Sequence, residues 1–533
     1  MWPMSFTVSA ACIDHRRLVR SIAGLALIAL GLLASCHPAT PDRSSAPGAT
    51  PSSEPPSIAT ARPSATATAT AIPHLVLGVP PEQAELAAAA LAEFQASQAD
   101  LEIQPISTSL VEESLIRGEI DLALMPDSAG TAVTSQPLAL AVPWDSDWGD
   151  LSLAEAQQVI EQGSAFIAVL DWRDMTPGLR ALHVDGLHPG ENGYPVLRNW
   201  SLHARPGLEG VAATLAPLLA THMQDEPVVR LAVVGDLMLD RTLGVMVSAG
   251  ELDFPFRLLG PELAEADLAV GNLESALGSG GHPESKGYTF RAPPAAAESL
   301  AMAGFDLLSL ANNHAMDFGP STLLQAIELL GQQGIAVIGA GADDASAHQP
   351  VVCEVNGLRL AFLAYVDVPQ EYRGFDARAW QAGADTPGVA WADPARIRAD
   401  VGAARAGADL VIVVLHSGYE YVPAPSPVQV AAARAAVEAG ADLVLGHHAH
   451  LLQGVERYQD GVIAYGLGNF AFEDAGPPES GVLQVWLDAG GVRAYDLVPV
   501  ILDEFGRPGP ADDARRDEIR ALFRERSRAL QQP

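Results

Sequence analysis

The segment Val228-Val-Arg-Leu-Ala-Val-Val-Gly-Asp236 is an apolar run that ends in a glycine and an acidic residue. Its length and its β-branched residues predict a buried strand with Asp236 at the carboxyl end. The same design, an apolar strand followed by a side chain that can bind a metal ion, recurs in residues 267–274, 305–314, 408–416 and 441–450. The carboxyl ends of strands in an open α/β sheet meet at one edge, so these segments predict a single site.

The polar residues at these strand ends are Asp, Asn, Glu and His. They supply hard oxygen and borderline nitrogen donors, which suit Zn, Mn or Fe. One such strand end would be weak evidence for a metal site, whereas a succession of them along the chain indicates one strongly. Residues 228–505 are therefore predicted to form a metal-dependent catalytic domain.

The order of the polar residues also resembles a known family. Along the chain come an acidic residue, Asn or an acid, Asn-His, His and His-x-His. This succession is similar to that of the calcineurin-like metallophosphatases. The motifs around these residues are more similar still to those of their CapA (poly-γ-glutamate capsule biosynthesis) branch. The phrases that carry the resemblance are Gly235-Asp-Leu-Met-Leu-Asp-Arg241, Asn272-Leu-Glu274, Tyr288-Thr-Phe-Arg291, Ala311-Asn-Asn-His-Ala-Met-Asp-Phe-Gly319, His416-Ser-Gly-Tyr-Glu420 and Tyr465-Gly-Leu-Gly-Asn-Phe470. The resemblance implies an α/β fold, a metallophosphatase-like α-β-β-α sandwich.

The roles that the family gives to these positions carry over residue by residue. The implied ligands of one or two divalent ions (Mn, Zn or Fe) are Asp236, Asn272, Glu274, Asn313, His416, His448 and His450. His314 would be the catalytic histidine that faces the scissile group, and Arg291 with Arg241 would hold a carboxylate or phosphate. Glu420 is open between a catalytic acid and an acid of the surface or of the site's surroundings. His447 is expected to point away from His448 and His450, because alternate residues of a strand face opposite sides.

Two positions depart from the metallophosphatase pattern. Met238 stands where a histidine ligand is expected, and a thioether does not replace imidazole for a hard or borderline ion. Asn272 stands where an aspartate bridges two cations, and an amide cannot bridge in that way. The sequence therefore predicts one ion, or two ions with Glu274 as the bridge.

The amino-terminal part of the chain has the features of a targeting sequence. Residues 1–36 hold a cluster of arginines, an apolar run and the ending Leu33-Ala-Ser-Cys36, which is typical of a secretory signal. The ending resembles a bacterial lipobox, which implies that Cys36 is lipidated and becomes the mature amino terminus. The alternative is a plain signal peptide with an incidental cysteine. Residues 37–73 are rich in Pro, Ser, Thr and Ala and cannot form a core, so they are predicted to be a disordered tether.

The rest of the chain divides into three parts. Residues 74–225 alternate strands and helices at a spacing typical of parallel βαβ units, and their order resembles type II periplasmic solute-binding domains. The alternative is a degenerate domain that binds nothing and acts as a spacer or docking unit. The metallophosphatase-like domain then spans 226–506, and residues 507–533 form a predicted surface helix.

Composition limits the partners. The formal net charge of −34 argues against a general surface for nucleic acid or for anionic membranes. Lys286 is the only lysine, and arginine supplies the remaining basic residues, a skew from which no function is predicted.

The leading hypothesis is an extracytoplasmic, lipid-anchored, metallophosphoesterase-like hydrolase of the CapA family that acts in capsule or poly-γ-glutamate biosynthesis. Its expected partners are the membrane, through the lipid, and an anionic envelope polymer or a phosphoester substrate; no nucleic acid is expected. The alternative is a non-catalytic lipoprotein that binds or scaffolds an envelope polymer or solute. Met238 and Asn272 favour that alternative, and metal content separates the two.

Overall fold

The computed structural model describes residues 74–98, 100–224, 226–371, 374–473 and 476–531. The predicted signal peptide, the predicted lipidation site Cys36 and the predicted tether lie outside the described residues. Among the helices of the described ranges, none combines the length and the apolar character that crossing a bilayer requires.

The secondary structure of the described ranges alternates between strands and helices through most of the chain. The strands are β1 (His74–Val79), β2 (Glu102–Ser107), β3 (Leu122–Met125), β4 (Thr131–Pro143), β5 (Ala168–Asp171), β6 (Leu179–Ala181), β7 (Leu197–Ala204), β8 (Val229–Leu237), β9 (Leu268–Leu273), β10 (Ala276–Leu277), β11 (Arg291–Ala292), β12 (Leu307–Ser309), β13 (Ala336–Ile338), β14 (Ala340–Gly341), β15 (Val351–Val355), β16 (Leu358–Asp367), β17 (Gly388–Val389), β18 (Leu410–Ser417), β19 (Leu443–His447), β20 (Val455–Tyr458), β21 (Gly461–Ala464), β22 (Asn469–Ala471), β23 (Glu479–Asp488), β24 (Gly491–Leu502) and β25 (Pro508–Pro510). The helices are α1 (Ala84–Ser97), α2 (Val111–Arg117), α3 (Leu153–Gln162), α4 (Glu209–His222), α5 (Arg241–Ser248), α6 (Ala296–Ala303), α7 (Pro320–Gln332), α8 (Asp344–Ala347), α9 (Pro394–Arg405), α10 (Pro427–Glu438) and α11 (Asp513–Leu530).

The first sheet is built from β1 to β7. Its strand order is β2-β1-β3-β7-β4-β5, with β6 beside β4. The strands β1, β2 and β3 pair in parallel, as the βαβ spacing predicts, whereas β7 and β4 run antiparallel to their neighbours. Phe94 of α1 and Leu219 of α4 pack with Leu77 and Trp200 in one buried cluster on this sheet. The resemblance of this part to solute-binding domains stays a prediction.

Two further sheets enclose the main core. One has the order β13-β12-β9-β8-β23-β24-β25 with β22 beside β8, and the other has the order β15-β16-β18-β19-β21-β20. Leu231 and Val233 of β8 share one buried cluster with Ile412 and Val414 of β18, which places the core between the two sheets. The predicted α/β fold class is confirmed.

Helices cover the outer face of the second of these sheets. Val411 and Val413, which alternate along β18 with the residues of the central core, pack instead with Ile397 of α9 and Ala433 of α10. A strand buried on both faces needs a continuous apolar sequence, which explains why the run Leu-Val-Ile-Val-Val-Leu of β18 lacks polar alternation.

The strands that lead to the predicted site run parallel to one another. In the first sheet of the sandwich β8 pairs with β9 and β9 pairs with β12, and in the second β16 pairs with β18 and β18 pairs with β19, all in parallel. Their carboxyl ends therefore lie at the same edge of each sheet, as the succession of polar strand ends predicts.

The carboxyl-terminal helix α11 contacts both the sandwich and the part of the chain that contains the sheet β1–β7. Its Ile519 and Phe523 are buried, and its Ser527 hydroxyl accepts a hydrogen bond from the amide of Val455 in β20 at 2.9 Å. Arg520 of the same helix contacts Asp150, in the segment after β4, at 3.2 Å. The predicted surface helix thus packs against both units along one of its faces.

Gly446 provides a test of the close packing beneath the site. A Cβ atom at Gly446, in β19, would lie 2.0 Å from the carbonyl oxygen of Tyr465, which follows β21. The Gly446→Ala variant is expected to lose about 1–3 kcal/mol of unfolding free energy, because backbone must move to admit the methyl group. Gly402→Ala is the matched control: it lies in α9 with open space around it, and it should be neutral or stabilising by up to about 1 kcal/mol. Urea unfolding of both variants measures the difference, and equal midpoints would contradict the close contact.

Candidate metal centre

Strand register brings the predicted polar residues into two facing pairs. In the first sheet of the sandwich Asp236 of β8 lies opposite Asn272 of β9. In the second sheet His416 of β18 lies opposite His447 of β19. All four are buried, so the site forms where the carboxyl ends of the two sheets meet.

A third strand supports the site from the side. Asn469 of β22 lies opposite Asp236 of β8, and its side-chain oxygen is 2.9 Å from Nδ1 of His450. Gly235 permits this approach, since a Cβ atom there would lie 2.0 Å from the carbonyl oxygen of Gly468. Asn469 thus orients a ring of the site directly.

Three overlapping groups of side chains come close enough to hold a metal ion. Within each group the candidate ligand atoms lie within 4.8 Å of one another, and the groups are Glu274 with His416 and His448, Asp236 with Glu274 and His450, and Glu420 with His448 and His450. Every member except Glu420 is buried. Glu274, His448 and His450 each belong to two groups, so the structure gathers these six predicted residues into one cluster.

Glu274 is the most unusual member of the cluster. Its side chain is 0% exposed, and neither carboxylate oxygen has a hydrogen-bond partner in the described part of the chain. Burial raises the pKa of Glu274 well above its ordinary value, and the nearby charges of Asp236 and Glu420 raise it further. A buried carboxylate without a donor is costly, and a cation between its neighbours would remove that cost.

Burial also keeps the imidazoles of His416 and His448 in the neutral form that binds a metal ion. Burial lowers the pKa of His416 well below its ordinary value, and burial together with the charge of His450 lowers the pKa of His448 to about 3. Both rings are therefore neutral at pH 7, as a metal ligand must be. Nδ1 of His448 is buried and lacks a hydrogen-bond partner among the described residues. A set of carboxylates and neutral imidazoles with unpartnered donor atoms fits a divalent cation.

Asp236 is held as a carboxylate by its neighbours. Burial alone would raise the pKa of Asp236, but the hydrogen bond and charge of His447 hold it below the ordinary value. The Nδ2 atom of Asn272 donates to Oδ1 of Asp236 at 2.8 Å and lies 3.1 Å from Nδ1 of His416. In this orientation Asn272 links two candidate ligands through its amide nitrogen.

The two asparagines before His314 take different places. The Oδ1 atom of Asn313 lies 2.7 Å from Nε2 of His416, which puts Asn313 beside the cluster as predicted. Asn312 forms an Asx turn, since its Oδ1 accepts from the amide of His314 at 3.0 Å. Its Nδ2 atom donates to the carbonyl of Leu273 at 2.8 Å, which joins this turn to the end of β9.

The expectation that His447 points away from the cluster is wrong. Its Nδ1 atom lies 3.1 Å from Oδ1 of Asp236, and the ring is buried. The expectation assumed that the strand continues through His450, whereas β19 ends at His447. His448 and His450 adopt positive φ values of 87° and 53°, so the alternation of an extended strand does not apply to them.

A buried polar chain lies behind His314. Nδ1 of His314 is 2.7 Å from Oδ2 of Asp317, and Oδ1 of Asp317 is 2.8 Å from Nζ of Lys286. Nζ of Lys286 also lies 2.8 Å from Oε1 of Glu371. Burial lowers the pKa of His314, although Asp317 opposes the shift. The sequence alone predicts no role for Lys286, Asp317 or Glu371; a signal for Asp317 is its position three residues after His314.

The predicted anion-binding arginines lie outside this cluster. Nη1 of Arg291 donates to the carbonyl of Gly280 at 3.1 Å, and its guanidinium lies 4.3 Å from the centre of the Phe318 ring. Nη1 of Arg241 donates to the carbonyl of Glu473 at 2.7 Å. Both guanidinium groups thus contact neighbouring loops and not the cluster.

An open cavity adjoins the cluster at His448. Its volume is about 690 Å³, and it is lined by Val368, Pro369, Gln370, Glu371, Arg378, Gly418, Tyr419, Glu420 and His448. Glu420 is therefore both an exposed wall residue of this cavity and a member of the cluster. Arg378, for which the sequence alone predicts no role, brings a guanidinium to the wall, where it forms a salt bridge with Asp376 at 2.7 Å.

Met238 occupies an apolar contact. It is buried in a small cluster with Phe290 and Phe472, and its sulfur accepts a hydrogen bond from the amide of Asp240 at 3.4 Å. The ring of Phe290 in turn lies 4.5 Å from the ring of His314. The Met238 thioether thus packs against a wall of the site. This contact agrees with the sequence, in which Met238 replaces the histidine ligand of the metallophosphatase pattern.

Comparisons with known proteins find relatives of this chain. The family model described as bacterial capsule synthesis protein PGA_cap matches residues 230–474, which include the whole cluster. The capsule biosynthesis protein CapA of Bacillus anthracis is 32% identical over 325 residues, which cover 57% of this chain and 74% of that protein. The PGA biosynthesis protein CapA of Bacillus subtilis (strain 168) is 30% identical over 299 residues, which cover 55% of this chain and 76% of that protein.

Among solved structures, a hypothetical protein from Thermus thermophilus is similar at 17% identity with a TM-score of 0.31. The match covers 51% of this chain and 98% of that one.

The unpartnered carboxylate of Glu274 leads to a prediction for metal binding. A ligand at one hundred times its Kd stabilises a protein by about 2.7 kcal/mol, so Mn²⁺ or Zn²⁺ should raise the unfolding temperature of the wild type. Glu274→Gln keeps the shape but removes the negative charge, and it should lose most of this metal-dependent rise. The exposed Glu298 of α6 offers the same chemical change as a control, and Glu298→Gln should respond as the wild type does. Equal metal-dependent rises in all three proteins, measured by thermal unfolding, would exclude Glu274 as a ligand.

Proposed function

Because the chain belongs to the bacterial capsule synthesis protein PGA_cap family, we propose that it acts in capsule or poly-γ-glutamate biosynthesis as a metal-dependent hydrolase. The observation that supports a metal-dependent role best is the buried Glu274 carboxylate, which lies without a donor beside Asp236 and three histidines. The open cavity at His448 supports a substrate site next to it.

The proposed ligands of the ion are Asp236, Glu274, His416, His448 and His450, with Asn313 beside them. Their mixture of carboxylate oxygens and imidazole nitrogens suits Mn, Zn or Fe, and the overlap of the groups at Glu274 allows one ion or two. When bound, such an ion supplies Lewis-acid polarisation and lowers the pKa of water to roughly 7.

His314 is proposed as the proton-transfer group. Its Nδ1 atom donates to Asp317, so Nε2 is the nitrogen that can take up or deliver a proton at a leaving oxygen or nitrogen. Its lowered pKa keeps the ring neutral at pH 7, and contact with Phe290 fixes the plane of the ring. His314 is thus oriented from two sides without being part of the ligand groups.

The substrate is proposed to be an anionic envelope polymer or a phosphoester that enters the cavity at His448. The formal net charge of −34 repels a polyanion at long range, so local positive charge must offset that repulsion. Arg378 on the cavity wall and the bound ion are the groups that can do so. Glu420 on the same wall is placed to contact the part of the substrate nearest to His448 and His450.

The predicted lipid anchor completes the proposal. Lipidation at Cys36, followed by the tether, would hold the enzyme at the outer face of the cell membrane, where an envelope polymer is assembled. This location rests on the lipobox-like sequence alone.

A scaffold without catalysis is the second candidate. Met238 packs against aromatic rings where a two-metal enzyme would have histidine, and the Asn272 amide nitrogen faces Asp236 where a bridging aspartate would stand. In that case the site would bind a polymer or solute with a weakened metal centre or none.

Two histidine variants separate the proposed chemistry from ion binding. His448→Ala removes a ligand and should lower both metal content and hydrolysis. His314→Ala should keep the metal near the wild-type amount while turnover falls by about 10²–10⁴, the usual effect of losing a general acid or base. Metal content is measured by elemental analysis, and hydrolysis with a generic phosphodiester and with γ-linked glutamyl peptides, each with Mn²⁺ or Zn²⁺ added.

The exposed His282 supplies the control, since His282→Ala should leave both readouts unchanged. Equal metal loss in His314→Ala and His448→Ala would show that the two roles are assigned wrongly. A wild type that binds metal but hydrolyses neither substrate would favour the scaffold.

A further inference from the structure

Lys286 is a buried cation surrounded by acceptors. Its side chain is 0% exposed, although lysine is among the residues least often buried. Its Nζ atom lies 2.8 Å from Oδ1 of Asp317, 2.8 Å from Oε1 of Glu371 and 2.5 Å from the carbonyl oxygen of Asn313. The Glu371 and Asn313 oxygens accept hydrogen bonds from Nζ, and the contact with Asp317 is an ion pair.

Aromatic rings close the remaining side of this ammonium group. Nζ lies 4.8 Å from the ring centre of Trp380 and 5.7 Å from that of Phe375. These distances allow cation–π attraction, which is strongest where water is excluded. The ammonium group of Lys286 is therefore held in one direction and shielded from water, unlike that of a lysine on the protein surface.

The position of Lys286 in the fold joins three loops at the site. Lys286 lies between β10 and β11, Asn313 and Asp317 follow β12, and Glu371 follows β16. Glu371 also lines the open cavity. One side chain thus ties the loop of His314 to the wall of the cavity, and it does so from outside the metal-binding groups.

The two oxygens of Asp317 are divided between Lys286 and His314. Oδ1 faces Nζ of Lys286, and Oδ2 faces Nδ1 of His314 at 2.7 Å. Because the ammonium group contacts one oxygen, the other oxygen faces the His314 ring and can accept its Nδ1 proton. The tautomer of a histidine is commonly set in this way by the partner of its other nitrogen.

We propose that Lys286 is a positioning residue that, by holding Asp317 and the carbonyl of Asn313, fixes His314 in the Nδ1–H tautomer and aims Nε2 at the substrate. This inference rests on the proposed function for its effect on turnover, but its effect on the His314 ring does not depend on hydrolysis. Groups that orient a functional histidine from behind commonly contribute about 10–100-fold to activity.

The test begins with Lys286→Met, which keeps an unbranched chain beside Trp380 and removes the charge. With metal content unchanged, kcat should fall by about 10–100-fold while KM changes by less than about threefold. Lys286→Arg keeps the charge with a different shape, and it should recover part of kcat. If Lys286→Met does not fold, the double variant Lys286→Met with Glu371→Gln leaves one fewer carboxylate unpaired and takes its place with the same expected result.

Nitrogen NMR of ¹⁵N-histidine protein gives the readout that is independent of activity. The His314 signals, assigned by their loss in His314→Ala, should show a protonated Nδ1 in the wild type and a mixture of tautomers or imidazolium in Lys286→Met. The matched control is Lys286→Arg, in which the Nδ1–H form should persist. An unchanged tautomer in Lys286→Met, with kcat within about twofold of the wild type, would overturn the proposal. If the wild type hydrolyses none of the tested substrates, the proposed function is refuted. The NMR comparison would still decide the role of Lys286.

Discussion

The buried carboxylate of Glu274 is the constraint on which the rest of the site depends. Neither of its oxygens has a hydrogen-bond donor in the described chain, and its neighbours include a second carboxylate, Asp236. An arrangement of this kind opposes folding unless a proton or a cation compensates it. The imidazoles of His416 and His448 are neutral because burial lowers their pKa, so they cannot supply the missing charge, but they can bind an ion that does.

The site separates the groups that hold an ion from those that move a proton. The first set lies at or just beyond the carboxyl ends of parallel strands from two facing sheets, where strand pairing fixes Asp236 and His416. The second set, His314 with Asp317, lies in the loop after β12 and is braced from behind by Lys286. Because the two sets rest on different elements, variants of one leave the other in place, and the roles can be measured apart.

Much of this arrangement could be predicted from the sequence. The apolar runs that lead to Asp236, His416 and His447 indicated the parallel sheets and the meeting of their ends, because burial on both faces demands such runs. The error at His447 arose from assuming an extended strand, since no local pattern marked the positive φ values of His448 and His450.

Contacts across the tertiary structure were harder to predict than the strand ends. Lys286 meets Asp317 and Glu371 only because loops after three different strands converge, and no spacing along the chain encodes that. The same holds for Arg378, which reaches the cavity wall from a segment without a site-like pattern. Arg291, by contrast, belonged to a family-like phrase, yet its side chain stacks on Phe318 because the short strand β11 directs it there.

A crystal structure of the protein soaked with Mn²⁺, with data collected at the manganese absorption edge, tests the central claim most directly. The account predicts an anomalous peak at about 2.0–2.3 Å from an oxygen of Glu274 and from a nitrogen of at least one of His416, His448 and His450. A second peak on the other side of Glu274 would identify a bridged pair of ions. An ordered site with no anomalous peak within ligand distance of Glu274, at a Mn²⁺ concentration that saturates ordinary protein sites, would contradict it.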